Sequence, residues 1–260
     1  MKNWLIVAAI LLVSGIIVFI AVMAVNNWDF KILNTDDYIC SEYDISETIT
    51  DISINTDTLD IKITESEDNT CKVVVNEYTK KKHSVSVQDS VLTIKSNSKP
   101  FDNIGIHFSS PKITIYLPQQ TYESFLIENT TGDVFINIPV LIKNINVKSS
   151  TGDIILNNTP CFNTDISVTT GDIVLKNISS HNMNLKATTG DISFHHCTAD
   201  TVEAKTTTGD VTGIISSNHE YVTETTTGDI NVPKNTSGGL FTIKTTTGDI
   251  IIKYKPRSNS

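Results

Sequence analysis

The chain has 260 residues, with 29 acidic against 20 basic side chains, a net charge of −9 and only four Cys. Nucleic acid and anionic lipid surfaces select for Lys and Arg clusters, so this balance argues against either as the main partner. Four Cys are too few for a disulfide-dense scaffold. The apolar residues are unevenly spread: Trp4 to Val25 is broken only by Ser14 and Gly15, and about a third of the rest of the chain is apolar. A lean core with abundant Thr, Ser and Asn suits a thin β-structure better than a thick α/β enzyme.

In chain order, residues 1–25 come first. Trp4 to Val25 carries no charge and is long enough for a bilayer, which needs about 20 apolar residues. Lys2 precedes the run, and Asp29, Asp36 and Asp37 follow it. The positive-inside rule then places the N-terminus in the cytoplasm and the rest of the chain outside the cell. A cleaved signal peptide, with Val22-Met23-Ala24 near the cleavage site, is the competing reading. Secretory apolar cores run about 7 to 15 residues, so length favours an uncleaved single-pass anchor in the cell membrane.

Residues 26–44 read as a juxtamembrane spacer. Residues 45–127 show period-two alternation at Ile52 to Ile54, Leu59 to Ile63, Val73 to Val75, Val85 to Val87, Val91 to Ile94 and Ile113 to Leu117, and Pro118 closes the last strand. They read as degenerate β rungs or a small cap.

Residues 128–253 hold a repeat. Thr-Gly-Asp recurs with its glycine at Gly132, Gly152, Gly171, Gly190, Gly209, Gly228 and Gly248, at intervals of 19 or 20. Two residues after each Gly stands Val134, Ile154, Ile173, Ile192, Val211, Ile230 or Ile250. Five before it stands Ile127, Val147, Ile166, Leu185, Ala204, Thr223 or Ile243. Apolar residues alternate with polar ones on both sides of each corner, as in half-buried strands. A meander needs no common register, whereas stacked rungs reward identity at every position. The expected fold is therefore all-β: a β-solenoid of about 19-residue rungs with Thr-Thr-Gly-Asp corners, after a single transmembrane helix. Gly213 and Thr223 are expected to loosen one rung. The basic tail, 254–260, contains Pro256 and is expected to shield an open sheet edge.

Several constellations could carry chemistry. Stacked corners would align Asp133, Asp153, Asp172, Asp191, Asp210, Asp229 and Asp249 about 5 Å apart, where carboxylates repel. Ca²⁺ between rungs would relieve this, but it wants six to eight oxygens. The alternative is that each Asp accepts hydrogen bonds from backbone or Thr hydroxyls at its own corner. No metal and no cofactor is expected. His195-His196-Cys197 cannot converge on one ion, because neighbours on a strand face opposite ways. His181 and His219 lie two rungs apart. Cys161 and Cys197 are too far apart by register for a disulfide, while pairing of Cys40 with Cys71 stays open. Lys80-Lys81-Lys82 reads as a solvated turn.

With the Thr-Thr-Gly-Asp-Ile corners and the strands Leu92-Thr93-Ile94 and Ile113-Thr114-Ile115-Tyr116-Leu117-Pro118 in view, the chain resembles the putative-adhesin, β-strand-repeat (LiaG-like) family of bacterial membrane-anchored envelope proteins, a domain of unknown function. The resemblance covers roughly Ile45 to Ile252. It implies a β-solenoid-like fold, often membrane-tethered, with no established enzymatic activity or cofactor and no catalytic residues to carry over. The expected function is that of a non-enzymatic surface rod binding cell-wall or surface polymers, or a membrane protein. The alternatives are an envelope-stress accessory to a membrane sensor or transporter, and a glycan-active β-helix enzyme.

Overall fold

The computed structural model describes residues 2–29, 37–79, 81–97, 111–234 and 237–256. The chain forms two compact units, Met1–Asp37 with Pro100–Ser110, and Tyr38–Lys99 with Pro111–Ser260. In the first, helix α1 spans Lys2–Val25. Its stretch Ile6–Val25 has a mean hydropathy of 3.1 and is long and apolar enough to cross a membrane. The helix ends where the Asn26 side-chain amide donates to the Val22 carbonyl at 2.8 Å and Asn27 and Trp28 take positive φ. Asp36 and residues 30–35 of the expected spacer lie outside the described residues.

The second unit is built of strands. Seven precede the strand that leads into the first Gly corner: β1 (Tyr38–Ile45), β2 (Asp51–Thr58), β3 (Asp60–Glu65), β4 (Cys71–Tyr78), β5 (His83–Gln88), β6 (Val91–Ser96) and β7 (Lys112–Leu117). β1 falls largely inside the stretch read as a spacer. The repeat then supplies β8 (Tyr122–Thr131), β9 (Val134–Asn137), β10 (Ile142–Thr151), β11 (Ile154–Asn157), β12 (Cys161–Thr170), β13 (Ile173–Lys176), β14 (Ser179–Thr189) and β15 (Ile192–Lys205). Last come β16 (Val211–Ile215), β17 (His219–Glu224), β18 (Ile230–Asn231), β19 (Gly239–Lys244) and β20 (Ile250–Tyr254).

Strands before each corner pair in parallel into one sheet, here the upstream sheet, and strands after it into the downstream sheet. Equivalent residues stack in register, so Ile127, Val147, Ile166, Leu185 and Ala204 form one inward column and Val134, Ile154, Ile173, Ile192 and Val211 another. These side chains are buried almost completely and belong to one continuous core. The chain is a β-solenoid, as the spacing requires.

The rungs do not stack in sequence order. At one end β2–β3 lies beneath β8–β9, and β6 and β7 lie beyond it on the far side. There β4 pairs antiparallel with β7, β1 with β4, and β5 with β6. The segment 45–127 thus contains both rungs and antiparallel strands. At the other end, β16 pairs with β20 and β20 with β18, while β15 pairs with β19 and β19 with β17. The Gly248 rung therefore sits between the Gly209 and Gly228 rungs.

This order corrects one expectation. Gly213 and Thr223 do not share a rung, and the Gly248 rung lies between them. Gly213 stacks between Phe194 and Ile252, and Phe194 meets Phe241 edge-on at 5.4 Å, so large rings supply apolar volume near the missing side chain. The basic tail follows β20, whose Ile250 and Ile251 lie between β16 and β18 while Ile252 to Tyr254 pair with β16 alone; Lys255 donates its N–H to the Ile215 carbonyl. Residues 257–260 lie outside the described residues. The physical reason is the partition of apolar residues. Ile250 and Ile252 need full burial, whereas the Gly228 rung offers Thr223, an exposed Ile230 and Pro233, a residue tolerated only where no ladder donor is needed.

Candidate functional site

The corner aspartates are held by the backbone of a neighbouring rung. Asp153 donates its N–H to Asp133 Oδ1 at 2.8 Å, Asp172 to Asp153, Asp191 to Asp172 and Asp210 to Asp191, each at 2.8 Å. The ladder continues through Asp249 on Asp210 (2.7 Å) and Asp229 on Asp249 (2.8 Å). It begins with Asp133 on Asp60 (3.0 Å). The acceptor lies one rung away rather than at the same corner, as the sequence had suggested.

Glycine and aspartate solve one problem together. The corner glycines have φ between 119° and 148°, a region essentially closed to other residues. A Cβ on Gly190 would lie 2.0 Å from the Gly171 carbonyl oxygen. The Gly190 and Ile192 N–H groups reach carbonyls of the next rung, but the Asp191 N–H points back and finds the Asp172 carboxylate. The side chain replaces a missing backbone acceptor. Thr-Leu-Asp-Ile at 58–61 repeats the corner with Leu59 in place of Gly; its Asp-Ile pair was the signal for Asp60.

The expected metal and disulfide positions resolve one by one. Among the described residues no group of three His, Cys, Asp or Glu could hold a metal ion. His195 is exposed, His196 takes φ 55° and Cys197 is buried. His181 is an exposed partner of Asp200 at 2.6 Å. His219 is fully buried, with Nδ1 facing the Ser217 carbonyl and Nε2 the Ala199 carbonyl, both at 3.1 Å. Burial lowers its pKa, against the opposing pull of the two carbonyls and Asp200. None of the four Cys forms a disulfide. Cys40 lies opposite Asn76 and Cys71 opposite Ile45, well out of register. Lys81 and Lys82 sit in the β4–β5 turn, and Lys80 lies outside the described residues.

What the sequence did not reveal is a polar ladder on the outer face of the upstream sheet. The Asn144, Asn163, Asn182 and Thr201 positions stack on consecutive rungs. Asn163 Nδ2 donates to Asn144 Oδ1 at 2.9 Å, Asn182 Nδ2 to Asn163 Oδ1 at 2.9 Å, and Thr201 Oγ1 to Asn182 Oδ1 at 2.7 Å. Each middle amide spends one of two N–H groups and one of two lone pairs, so one of each remains. The next outward column holds Asn146, Asp165, Asn184 and Glu203. Here the Oδ1 atoms of Asn146 and Asn184 have no hydrogen-bond partner.

The two columns border an open groove of about 520 Å³, lined among others by Asn163, Asp165, Asn182, Asn184, Glu203 and Leu240. Leu240 is 47% exposed. The lining contains two carboxylates and no cation; Glu203 pairs with Lys205, whose hydrogen bond lowers the Glu203 pKa. Beside the Asn ladder, Phe162 and His181 stack on adjacent rungs with ring centroids 5.2 Å apart. A second depression, lined by Glu65, Glu67, Asn137 and Asn158, lies at the β3 end of the downstream sheet.

Comparison with known proteins places this architecture. The family model described as Toastrack DUF4097 matches residues 49–260. No curated protein matches the chain. The chain is similar to a crystal structure of a putative adhesin from Bacteroides fragilis NCTC 9343, with 19% identity and a TM-score of 0.56, over 84% of this chain and 97% of that one. It is also similar to a putative adhesin from Parabacteroides merdae ATCC 43184, with 15% identity and a TM-score of 0.51, over 85% and 93% of the two chains. At these identities the likeness is one of fold. The matched span contains every rung and every corner aspartate, and the chain belongs to the Toastrack DUF4097 family.

Proposed function

We propose that this is a non-enzymatic surface protein, held in the cell membrane by α1, whose strand-built unit binds envelope polymers or proteins outside the cell. The observation that carries the reading is the outer face of the upstream sheet. There, polar side chains repeat at the rung spacing of about 4.8 Å and border an open groove rather than an enclosed pocket. Such a lattice gives many weak equivalent contacts, which sum through multivalency. The description of two similar structures as putative adhesins accords with it. The length and hydropathy of Ile6–Val25 support the anchor.

The test uses the full chain in lipid nanodiscs, mixed with isolated wall and membrane fractions of bacterial cells. Retention on at least one fraction, saturable and displaced by unlabelled protein, is expected. No retention above empty nanodiscs on any fraction overturns the proposal.

A further inference from the structure

We infer that the groove on the upstream sheet binds a neutral, hydroxyl-rich polysaccharide; this rests on the surface-binding reading above and names its ligand class. Four features converge on it. First, the groove is open and crosses the Gly171, Gly190, Gly209 and Gly248 rungs, so it admits a chain rather than a small enclosed molecule. Second, its walls hold more hydrogen-bonding capacity than the protein uses. Asn163 and Asn182, both exposed, each keep one N–H and one lone pair free of the ladder. A planar amide or carboxylate can meet two neighbouring sugar hydroxyls at once. Because the amides are already hydrogen-bonded to each other along the stack, little side-chain freedom is lost on binding.

Third, the groove has apolar surface suited to the C–H face of a sugar ring. Leu240 lies exposed in it, and the Phe162–His181 stack stands beside the Asn rim, with Phe162 39% exposed. Fourth, charge selects the class. The lining carries Asp165 and Glu203 and no cation of its own, but Glu203 is offset by Lys205 with Lys186 and Lys244 nearby, so a phosphate- or carboxylate-bearing polymer meets like charge at Asp165. A neutral glycan brings hydroxyl donors to those carboxylates and incurs no such repulsion. The rung spacing is of the same order as one pyranose unit, so successive sugars meet successive rungs.

The experiment is calorimetric titration of the full chain in nanodiscs with cellohexaose, chitohexaose and maltohexaose, and with polygalacturonate and polyphosphate as anionic comparators. Saturable binding of at least one neutral hexasaccharide, tighter than either anionic polymer, is expected. Asn182→Ala and Phe162→Ala should each weaken it about three- to tenfold, the scale of one lost contact. Thermal unfolding of each variant shows whether the fold is kept. If a variant unfolds, Asn182→Asp, which keeps the shape and the ladder acceptor but loses the donor, replaces it.

No binding of any neutral hexasaccharide at millimolar concentration overturns the assignment. So does equal or tighter binding of the anionic polymers, or binding that is indifferent to all the substitutions. If envelope fractions retain the protein while these outcomes occur, only the ligand class fails. If the fractions do not retain it, the surface-binding reading falls as well.

Discussion

Asp172 Oδ1 accepts the backbone N–H of Asp191 at 2.8 Å, one rung away along the stack. The carboxylate thereby substitutes for a carbonyl that the positive-φ glycine corner has turned aside. A hydrogen bond to a charged group contributes roughly 1.5–3 kcal/mol. Asp172→Ala should therefore lower stability by about that amount, whereas Asp172→Asn, which keeps Oδ1, should cost less. Chemical denaturation of both variants measures it, and equal losses would count against the acceptor role.

Gly190 is constrained twice, by φ 143° and by the Gly171 carbonyl 2.0 Å from where its Cβ would stand. Gly190→Val should destabilise by several kcal/mol, the scale of backbone strain plus forced displacement of the neighbouring rung. Thr189→Ser, one residue away and exposed, should stay within about 0.5 kcal/mol. Thermal unfolding of the pair checks the corner geometry.

Rung order makes two equivalent isoleucines unequal. Ile192 is fully buried and Ile230, in the same position of the terminal rung, is 46% exposed. Ile192→Ala should cost about 2 to 5 kcal/mol, and Ile230→Ala clearly less. Had the rungs stacked in sequence order, Ile250 would occupy the terminal place instead. Comparing the Ala variants at 192, 230 and 250 by denaturant unfolding tests the crossover, with 250 expected to resemble 192.

His219 gives stability a pH dependence. The folded protein resists charging the buried ring, so its pKa lies below the usual 6.5, with Asp200 and the Ser217 and Ala199 carbonyls opposing the shift. The unfolded chain takes up a proton near 6.5, so it binds more protons than the fold between the two values. The His219 contribution is complete above pH 6.5 and declines as pH falls through that window. His219→Gln should flatten this part of the profile of Tm against pH between 5 and 7.5, while Tyr221 stays un-ionised, its pKa raised to about 12 by burial.

The thiols divide by exposure. Cys40 is exposed, and Cys71, Cys161 and Cys197 are buried. Burial pushes the Cys71 thiol up to about 11 and raises Cys161 as well, which suppresses the reactive thiolate. A colorimetric thiol reagent should label Cys40 rapidly in the native protein and all four Cys only after unfolding. Fewer than four after unfolding without reductant would reveal a disulfide.

The sequence by itself determined the repeat, the corners and the inward columns. A period of 19 or 20 with Gly and Asp at fixed places admits few structures, and alternation assigns each Ile, Val and Leu to the core. It also located six of the seven early strands, β2 to β7, because period-two patterning is local, while β1 reads as spacer. What it could not decide was the order of rungs. Any rung can stack on any other when their corners are identical, so neighbours are chosen by which rung can least afford an exposed face. That choice compares residues as distant as Val211 and Ile250, and it depends on Pro233 and Thr223 occupying the end. The same holds for the outer face. Asn144, Asn163, Asn182 and Thr201 look like ordinary polar positions in the chain, and only the stacking of four rungs turns them into a ladder beside a groove. The acidity that first argued against anionic partners also divides: seven aspartate carboxylates, counting Asp60, hold corners together, and Asp165 and Glu203 line the groove.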